Sequence, residues 1–213
     1  MSASELNNYF VKSNCDKAGK GVKKGHYYYK LYAEDFEQFK DVEINLLEIG
    51  VWKGTSVEAW LQYLPKATIY CIDTFERIQP EDVEVLKDPR VKYLKGDSNS
   101  PNLKGRMRKE WGDIQFDVII DDGLHTPESN AKTFRNLDAM LKEGGTYYVE
   151  DAWPLHKMSF KELSHPWVAN KPFVYSNVHM DKFISSISKY EYTEHDFRKQ
   201  SGNPDSYIFK VVK

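Results

Sequence analysis

The sequence predicts an α/β fold: a mostly parallel sheet covered by helices on both faces and closed by a C-terminal antiparallel hairpin. Two observations carry this expectation. From Asn45 onward, short apolar runs alternate with polar-periodic stretches, and continuous apolar strands between helices are the pattern of a parallel sheet buried on both sides. The ending breaks that rhythm. Tyr190–Phe197 and Tyr207–Val212 are linked only by a short segment with the turn-like Gly202-Asn203-Pro204-Asp205, and strands joined this closely must pair antiparallel.

The elements follow in order. Buried strands are expected at Leu46–Val51, Thr68–Ile72, Val91–Leu94, Phe116–Ile120 and Thr146–Val149. Helices are expected at Ser56–Tyr63, Pro80–Leu86, Asn102–Trp111 and Pro127–Leu141, with another around Asp181–Ser188. Thr126-Pro127 supplies a capping hydroxyl and a first-turn proline. Gly144-Gly145 reads as a helix stop. Ahead of the sheet, Leu31, Tyr32, Phe36 and Phe39 lie at helical spacing within Tyr28–Phe39, so that stretch should pack on the main domain. The expected organisation is an N-terminal extension, residues 1–44, packing on the cofactor site, and one domain over residues 45–213.

Composition narrows the function classes. The 213 residues suit one domain, with 40% hydrophobic and 29% charged residues. Thirty basic residues against 32 acidic ones leave a net charge of −2, which argues against nucleic-acid binding as the main role. No apolar run approaches the roughly 18 residues needed to span a bilayer, and Met1 to Lys20 is polar, without a signal-peptide core. Cys15 and Cys71 cannot build a disulfide framework or a zinc knuckle. Cys71, inside an apolar strand pattern, reads as a buried thiol. A reducing, cytoplasmic home is the expectation, and a homo-oligomer is left open.

The segment Leu46-Leu47-Glu48-Ile49-Gly50-Val51-Trp52-Lys53-Gly54-Thr55-Ser56 runs from strand through glycine-bearing turn to helix. Ligands of open parallel sheets bind beyond the carboxyl ends of the strands. Gly50 lets the chain turn and a ligand approach, and Gly54 does the same at the helix start. The spacing is G-x-x-x-G, not the G-x-G-x-x-G of a pyrophosphate site. Glu48, acidic and just before the turn, suits a ligand with a positive amino group. Asp73, ending the second strand, can accept both hydroxyls of a ribose. Asp97 and Ser98 follow the third strand and can reach an adenine edge. A nucleoside carrying a charged amino-acid tail is S-adenosylmethionine.

The fourth and fifth strands each end in adjacent carboxylates, Asp121-Asp122 and Glu150-Asp151. Neighbouring strand ends lie about 5 Å apart, so these acids would crowd one rim and raise each other's pKa. A divalent cation relieves that repulsion, and oxygen ligands select a hard ion, Mg2+ ahead of calcium or manganese. Asp121 is expected on the cofactor side of this rim. Such an ion would acidify a substrate hydroxyl. His125, beside the pair, is the candidate catalytic base. His156, His165, His179 and His195 have no comparable setting.

Residues from about Asn45 to Trp153 resemble a class I S-adenosylmethionine-dependent methyltransferase, with its Rossmann-like seven-stranded sheet. The nearer resemblance is to the metal-dependent group of macrocin and mycinamicin sugar O-methyltransferases, which also holds proteins labelled cephalosporin hydroxylase. It rests on Leu47-Glu48-Ile49-Gly50, Tyr70-Cys71-Ile72-Asp73, Ile120-Asp121-Asp122-Gly123-Leu124-His125 and Gly144-Gly145-Thr146-Tyr147-Tyr148-Val149-Glu150-Asp151. The last two as a pair are the more specific. Asp16-Lys17, His26, Tyr28 and Tyr32 are similar to a segment preceding the core in the macrolide sugar enzymes. The resemblance implies Asp122, Glu150 and Asp151 as metal ligands, His125 as base, and Glu48, Gly50 and Asp73 in the cofactor pocket. Leu124 stands where the family usually has a small residue, and the macrolide enzymes' long N-terminal domain is missing.

The expected function is therefore transfer of a methyl group to a hydroxyl of a sugar or other small molecule. A nicotinamide-dependent oxidoreductase is disfavoured by the missing G-x-G-x-x-G and by the carboxylate rim. A non-catalytic nucleoside-binding module is disfavoured by the intact acids and histidine. A nucleic-acid methyltransferase would carry a basic face or an Asn/Asp-Pro-Pro-aromatic motif. Trp153, His156, Trp167, Phe173 and Tyr175, after the fifth strand, are candidates to close over an acceptor.

Overall fold

In the computed structural model, which describes residues 3–213, seven strands form a single sheet. They are β1 (Asn45–Ile49), β2 (Thr68–Asp73), β3 (Val91–Lys95), β4 (Phe116–Asp121), β5 (Leu141–Val149), β6 (Glu191–Asp196) and β7 (Tyr207–Val212), in the order β3-β2-β1-β4-β5-β7-β6. The first five run parallel to one another, and β7 lies antiparallel between β5 and β6. The expected mostly parallel sheet with a C-terminal hairpin is what the chain builds.

Alternation along the strands divides the core into two layers. Leu46, Val118, Ile120 and Tyr148 face one side, with α1 (Ala3–Lys12), α2 (Tyr29–Phe36) and α3 (Thr55–Tyr63). Leu47, Ile119, Tyr147 and Val149 face the other, with α4 (Leu103–Trp111), α5 (Pro127–Leu137) and α8 (Asn177–Ile187). Two short helices, α6 (Phe160–Leu163) and α7 (Pro166–Ala169), precede α8, and α9 (Arg198–Ser201) sits in the hairpin connection. The residues ahead of β1 belong to the first layer. Leu6, Phe10, Tyr32 and Phe36 are fully buried, and Phe10 meets Trp60 edge-on with ring centroids 4.9 Å apart. Met1 and Ser2, the start of the expected 1–44 extension, lie outside the described residues.

The strand order reverses between β1 and β4, and this switch point opens the crevice where open α/β sheets bind ligands. Gly50 is obligatory there. Its φ is +87°, and a Cβ would stand 2.0 Å from the Asp122 carbonyl oxygen.

Several boundaries differ from expectation. Thr126 does cap α5, its hydroxyl accepting from the Ser129 amide at 3.2 Å. Yet α5 stops at Leu137, one tight turn follows, and β5 begins at Leu141. Gly144-Gly145 is therefore not a helix stop but a kink inside β5. The pairing with β4 jumps from Phe116↔Leu141 to Val118↔Thr146. Gly144 takes φ +76°, and a Cβ on Gly145 would lie 2.9 Å from the Lys142 carbonyl oxygen. The glycines absorb the extra chain as a bulge. Pro80–Leu86 forms two separate 3-10 turns, because Val83 between them is extended. The polar N-terminal stretch holds α1, which no sequence signal announced. Both cysteines are buried and free. No helix among the described residues is long and apolar enough to cross a membrane.

Candidate active site

The loop after β1 is held by the end of β2. One oxygen of Asp73 accepts from the amides of Val51 at 2.7 Å and Trp52 at 3.0 Å, and the other accepts from Phe75 at 2.7 Å. Asp73 thus fixes the turn that Gly50 and Gly54 permit. A Cβ on Gly54 (φ +72°) would lie 2.4 Å from a Val85 methyl.

Glu48 departs from expectation. It does not face the crevice to meet an amino group; it is fully buried beneath α3. Ser56 donates to one of its oxygens and the Trp60 indole to the other, at 3.0 Å. Burial pushes its pKa up to about 7 against the pull of Lys17. Position in the strand predicted the residue, but which layer covers it decided its partner.

Beyond β3, Asp97 is exposed and accepts from the Asn99 amide at 2.8 Å, whereas buried Ser98 shares a 2.9 Å hydrogen bond with Thr133 and turns towards α5. Asn99 was not foreseen. Its amide donates to Ser129 at 2.9 Å, while its carbonyl oxygen is buried without a protein partner. A buried acceptor left open beyond the carboxyl end of a strand suits a nucleobase amino group. Asp121 is buried between Asn130 (3.3 Å) and the Tyr147 hydroxyl (3.4 Å), and burial lifts its pKa to about 6.

The β4 and β5 ends do meet. Asp121 pairs with Val149, and the Glu150 amide donates to the Asp121 carbonyl at 3.0 Å. The acids that follow are met by side chains from the N-terminal segment. Lys17 bridges Asp122 and Glu150 at 2.6 Å each, with only 2% of its side chain exposed. The Tyr32 hydroxyl donates to the second oxygen of Glu150. The Tyr28 hydroxyl donates to Asp151 at 2.7 Å, and His26 Nδ1 lies 3.2 Å from the same oxygen. Burial holds the Glu150 and Asp151 carboxyls above their ordinary range, opposed by Lys17 in the first case and by His26 and His125 in the second.

One trio among the described residues could hold a metal ion: Asp122, His125 and Asp151 bring ligand atoms within 4.8 Å of one another. His125 Nε2 is 3.7 Å from Asp122 Oδ1, and its Nδ1 is buried with no partner. Burial alone would lower the His125 pKa, but Asp151, Asp122 and Asp121 together raise it. The converging carboxylates are oxygen donors that fit a hard divalent cation, and the orphaned ring nitrogen stands beside them. Glu150, expected in this set, lies outside the trio, with Lys17 on one oxygen and Tyr32 on the other. The residues after the strand ends share a further property. Trp52, Phe75, His125 and Asp151 all take positive φ, between 46° and 55°, a conformation uncommon outside glycine and concentrated at functional sites.

Next to the trio lies a cleft of about 260 Å3 walled by Lys24, His26, Trp153, Trp167, Asn203 and Asp205. His26 belongs to the cleft and to Asp151 alike. Of the aromatic candidates, Trp153 and Trp167 line this cleft, Tyr175 supports them through a 2.5 Å hydrogen bond from the Trp167 indole, and Phe173 points to solvent. His156 pairs instead with Glu194 at 2.9 Å.

A seven-stranded sheet in this order, its acidic carboxyl edge beside a glycine-bearing β1 loop, defines the class I methyltransferase architecture. Residues 47–152 match the family model described as a methyltransferase domain, so that stretch carries a methyltransferase domain. Among curated relatives, it is 26% identical to mycinamicin VI 2''-O-methyltransferase of Micromonospora griseorubida over 148 residues, covering 66% of this chain and 35% of that one. It is 28% identical to demethylmacrocin O-methyltransferase of Streptomyces fradiae, with the same coverage. The chain thus spans about a third of the length of these relatives. Among solved structures, MycE methyltransferase in complex with Mg, SAH and mycinamycin VI superposes with a TM-score of 0.69 at 21% identity, over 98% of this chain and 54% of that one. The Podospora anserina methyltransferase PaMTH1 bound to SAH gives a TM-score of 0.62 at 16% identity, over 98% and 87%. These superpositions establish the fold.

Proposed function

We propose that the protein is a metal-dependent O-methyltransferase that moves a methyl group from S-adenosylmethionine to a hydroxyl of a sugar or another small hydroxylated molecule. The observation that carries this is the convergence of Asp122, His125 and Asp151 at the carboxyl edge, with His125 Nδ1 left open. The names of the curated relatives, all O-methyltransferases and several acting on sugars, support the acceptor class.

Asp122 and Asp151 would hold a divalent cation, magnesium first, which supplies Lewis-acid acidification of an acceptor hydroxyl. S-adenosylmethionine supplies the methyl group, and the crevice between the β1 loop, Asp73 and Asn99 is where its nucleoside would lie. His125 is the base. Its Nε2 points at the same space as Asp122 Oδ1, and the three carboxylates around it strengthen its hold on a proton. The Trp153–Trp167 cleft would orient the acceptor ring by its faces, converting a bimolecular encounter into a positioned one. The segment from Lys17 to Tyr32 works within this unit, because Lys17, His26, Tyr28 and Tyr32 all end on the acid rim. Two buried free thiols suit a cytoplasmic setting.

The test is calorimetric titration with S-adenosylmethionine, with magnesium and with chelator, followed by methyl transfer to a panel of free sugars and methyl glycosides. Micromolar cofactor binding and magnesium-dependent transfer are expected. No cofactor binding in either condition, or full transfer in excess chelator, would refute the reading.

A further inference from the structure

Lys17 lies in a segment whose sequence pattern assigns it no chemistry, yet it is among the most buried charges in the molecule. Its ammonium sits 2.6 Å from Asp122 Oδ2 and 2.6 Å from Glu150 Oε2. Tyr32 donates to Glu150 Oε1, so each oxygen of Glu150 already has one protein donor. Asp122 is different. Oδ2 faces the ammonium while Oδ1 faces His125 and the ligand trio. One carboxylate therefore stands between a tethered cation and the seat of a diffusible one.

We propose that Lys17 is a positioning residue of the metal site: its ammonium competes, through Asp122, with a divalent cation held by Asp122 and Asp151. The inference rests on the metal-dependent reading above. Two cations sharing one carboxylate repel each other, and in a buried setting that repulsion is poorly screened. The lysine cannot diffuse away, so the site binds its ion more weakly than its carboxylates alone would dictate. Coupling of this kind is reciprocal. Filling the seat must weaken the hold of Lys17 on Asp122 and loosen the segment from Ser13 to Tyr28. The usual effect of a bound metal is the opposite, to tighten whatever surrounds it.

The experiment is equilibrium binding of Mn2+ alone, read by electron paramagnetic resonance of the free ion. The proteins are the full chain, Lys17→Met and Lys17→Arg, each checked for folding by circular dichroism. Lys17→Met should bind Mn2+ about tenfold tighter or more. Lys17→Arg, which keeps the charge, should stay within about threefold of the parent. Hydrogen exchange on the parent protein should quicken between residues 13 and 28 when Mn2+ is added, which keeps the proposal testable if Lys17→Met does not fold. Parent-like or weaker binding by folded Lys17→Met, or slowed exchange in that segment, would each overturn the role given to Lys17. No Mn2+ binding by any of the proteins, parent included, would instead refute the metal reading itself, and this inference with it.

Discussion

Glu48→Gln tests the placement of a carboxyl that the sequence assigns to the cofactor and the structure assigns to the protein interior. The side chain is fully buried, with Ser56 and Trp60 on its two oxygens. Its pKa rises from an ordinary 4.5 to about 7 in the fold, chiefly through burial. A folded-state value above the unfolded one means that the carboxyl's contribution is whole below pH 4.5 and is lost as pH rises through 7. Above pH 8 the ionised side chain costs about 3 kcal/mol relative to its neutral form. Glutamine keeps the shape and is neutral at every pH. Its carbonyl can accept from the indole while the Ser56 hydroxyl turns to accept from its amide. Thermal unfolding of both proteins between pH 5 and pH 8.5 is the assay. The parent should lose about 5–10 °C relative to Glu48→Gln across that range, taking ~2–4 °C per kcal/mol for a chain of this size. Cofactor affinity should change by less than about threefold. A melting difference independent of pH would refute the buried-carboxyl account, and a tenfold loss of cofactor affinity would return Glu48 to the crevice.

Further outcomes follow from the same geometry. His125→Ala should cut turnover by about 10²–10⁴ with little change in cofactor affinity, measured by steady-state kinetics and calorimetry; an unchanged rate would demote it to a loop residue. Asp151→Asn should weaken Mn2+ binding by about tenfold or more, and unchanged binding would remove Asp151 from the ligand set. Trp167→Ala should raise the acceptor KM about three- to tenfold, the scale of one lost aromatic contact, with the cofactor KM steady. Phe10→Ala should destabilise the protein by about 3–5 kcal/mol in urea unfolding, because Phe10 is wholly buried against Trp60; a small effect would show that the N-terminal segment folds separately.

The sheet was legible because its signals are local. Apolar runs such as Phe116–Ile120 announce strands wherever they sit, and a short turn-bearing link forces an antiparallel return. The Gly144-Gly145 pair was misread because a glycine pair marks a helix end and a strand bulge equally well, and only the β4 register separates them. The acid pairs at the β4 and β5 ends were legible from their place in the pattern. Their partners were not. Lys17 reaches Asp122 and Glu150 across more than a hundred residues of chain, and no periodicity encodes such a contact. Glu48 and Asn99 show the same limit at short range. The strand end fixes where the backbone is, while the direction of the side chain depends on which helix lies over it.

The left-handed backbone at Trp52, Phe75, His125 and Asp151 also bears on engineering. Each such residue gives up about 1–3 kcal/mol that glycine would keep. Phe75 recovers it through burial, whereas Trp52 remains half exposed. A laboratory selection for heat tolerance alone would therefore find glycine or asparagine at position 52 early, and would be rewarded for it. Selection for turnover would resist the change if the indole guards the mouth of the crevice. Position 52 is where shelf life and catalysis should be seen to pull apart first.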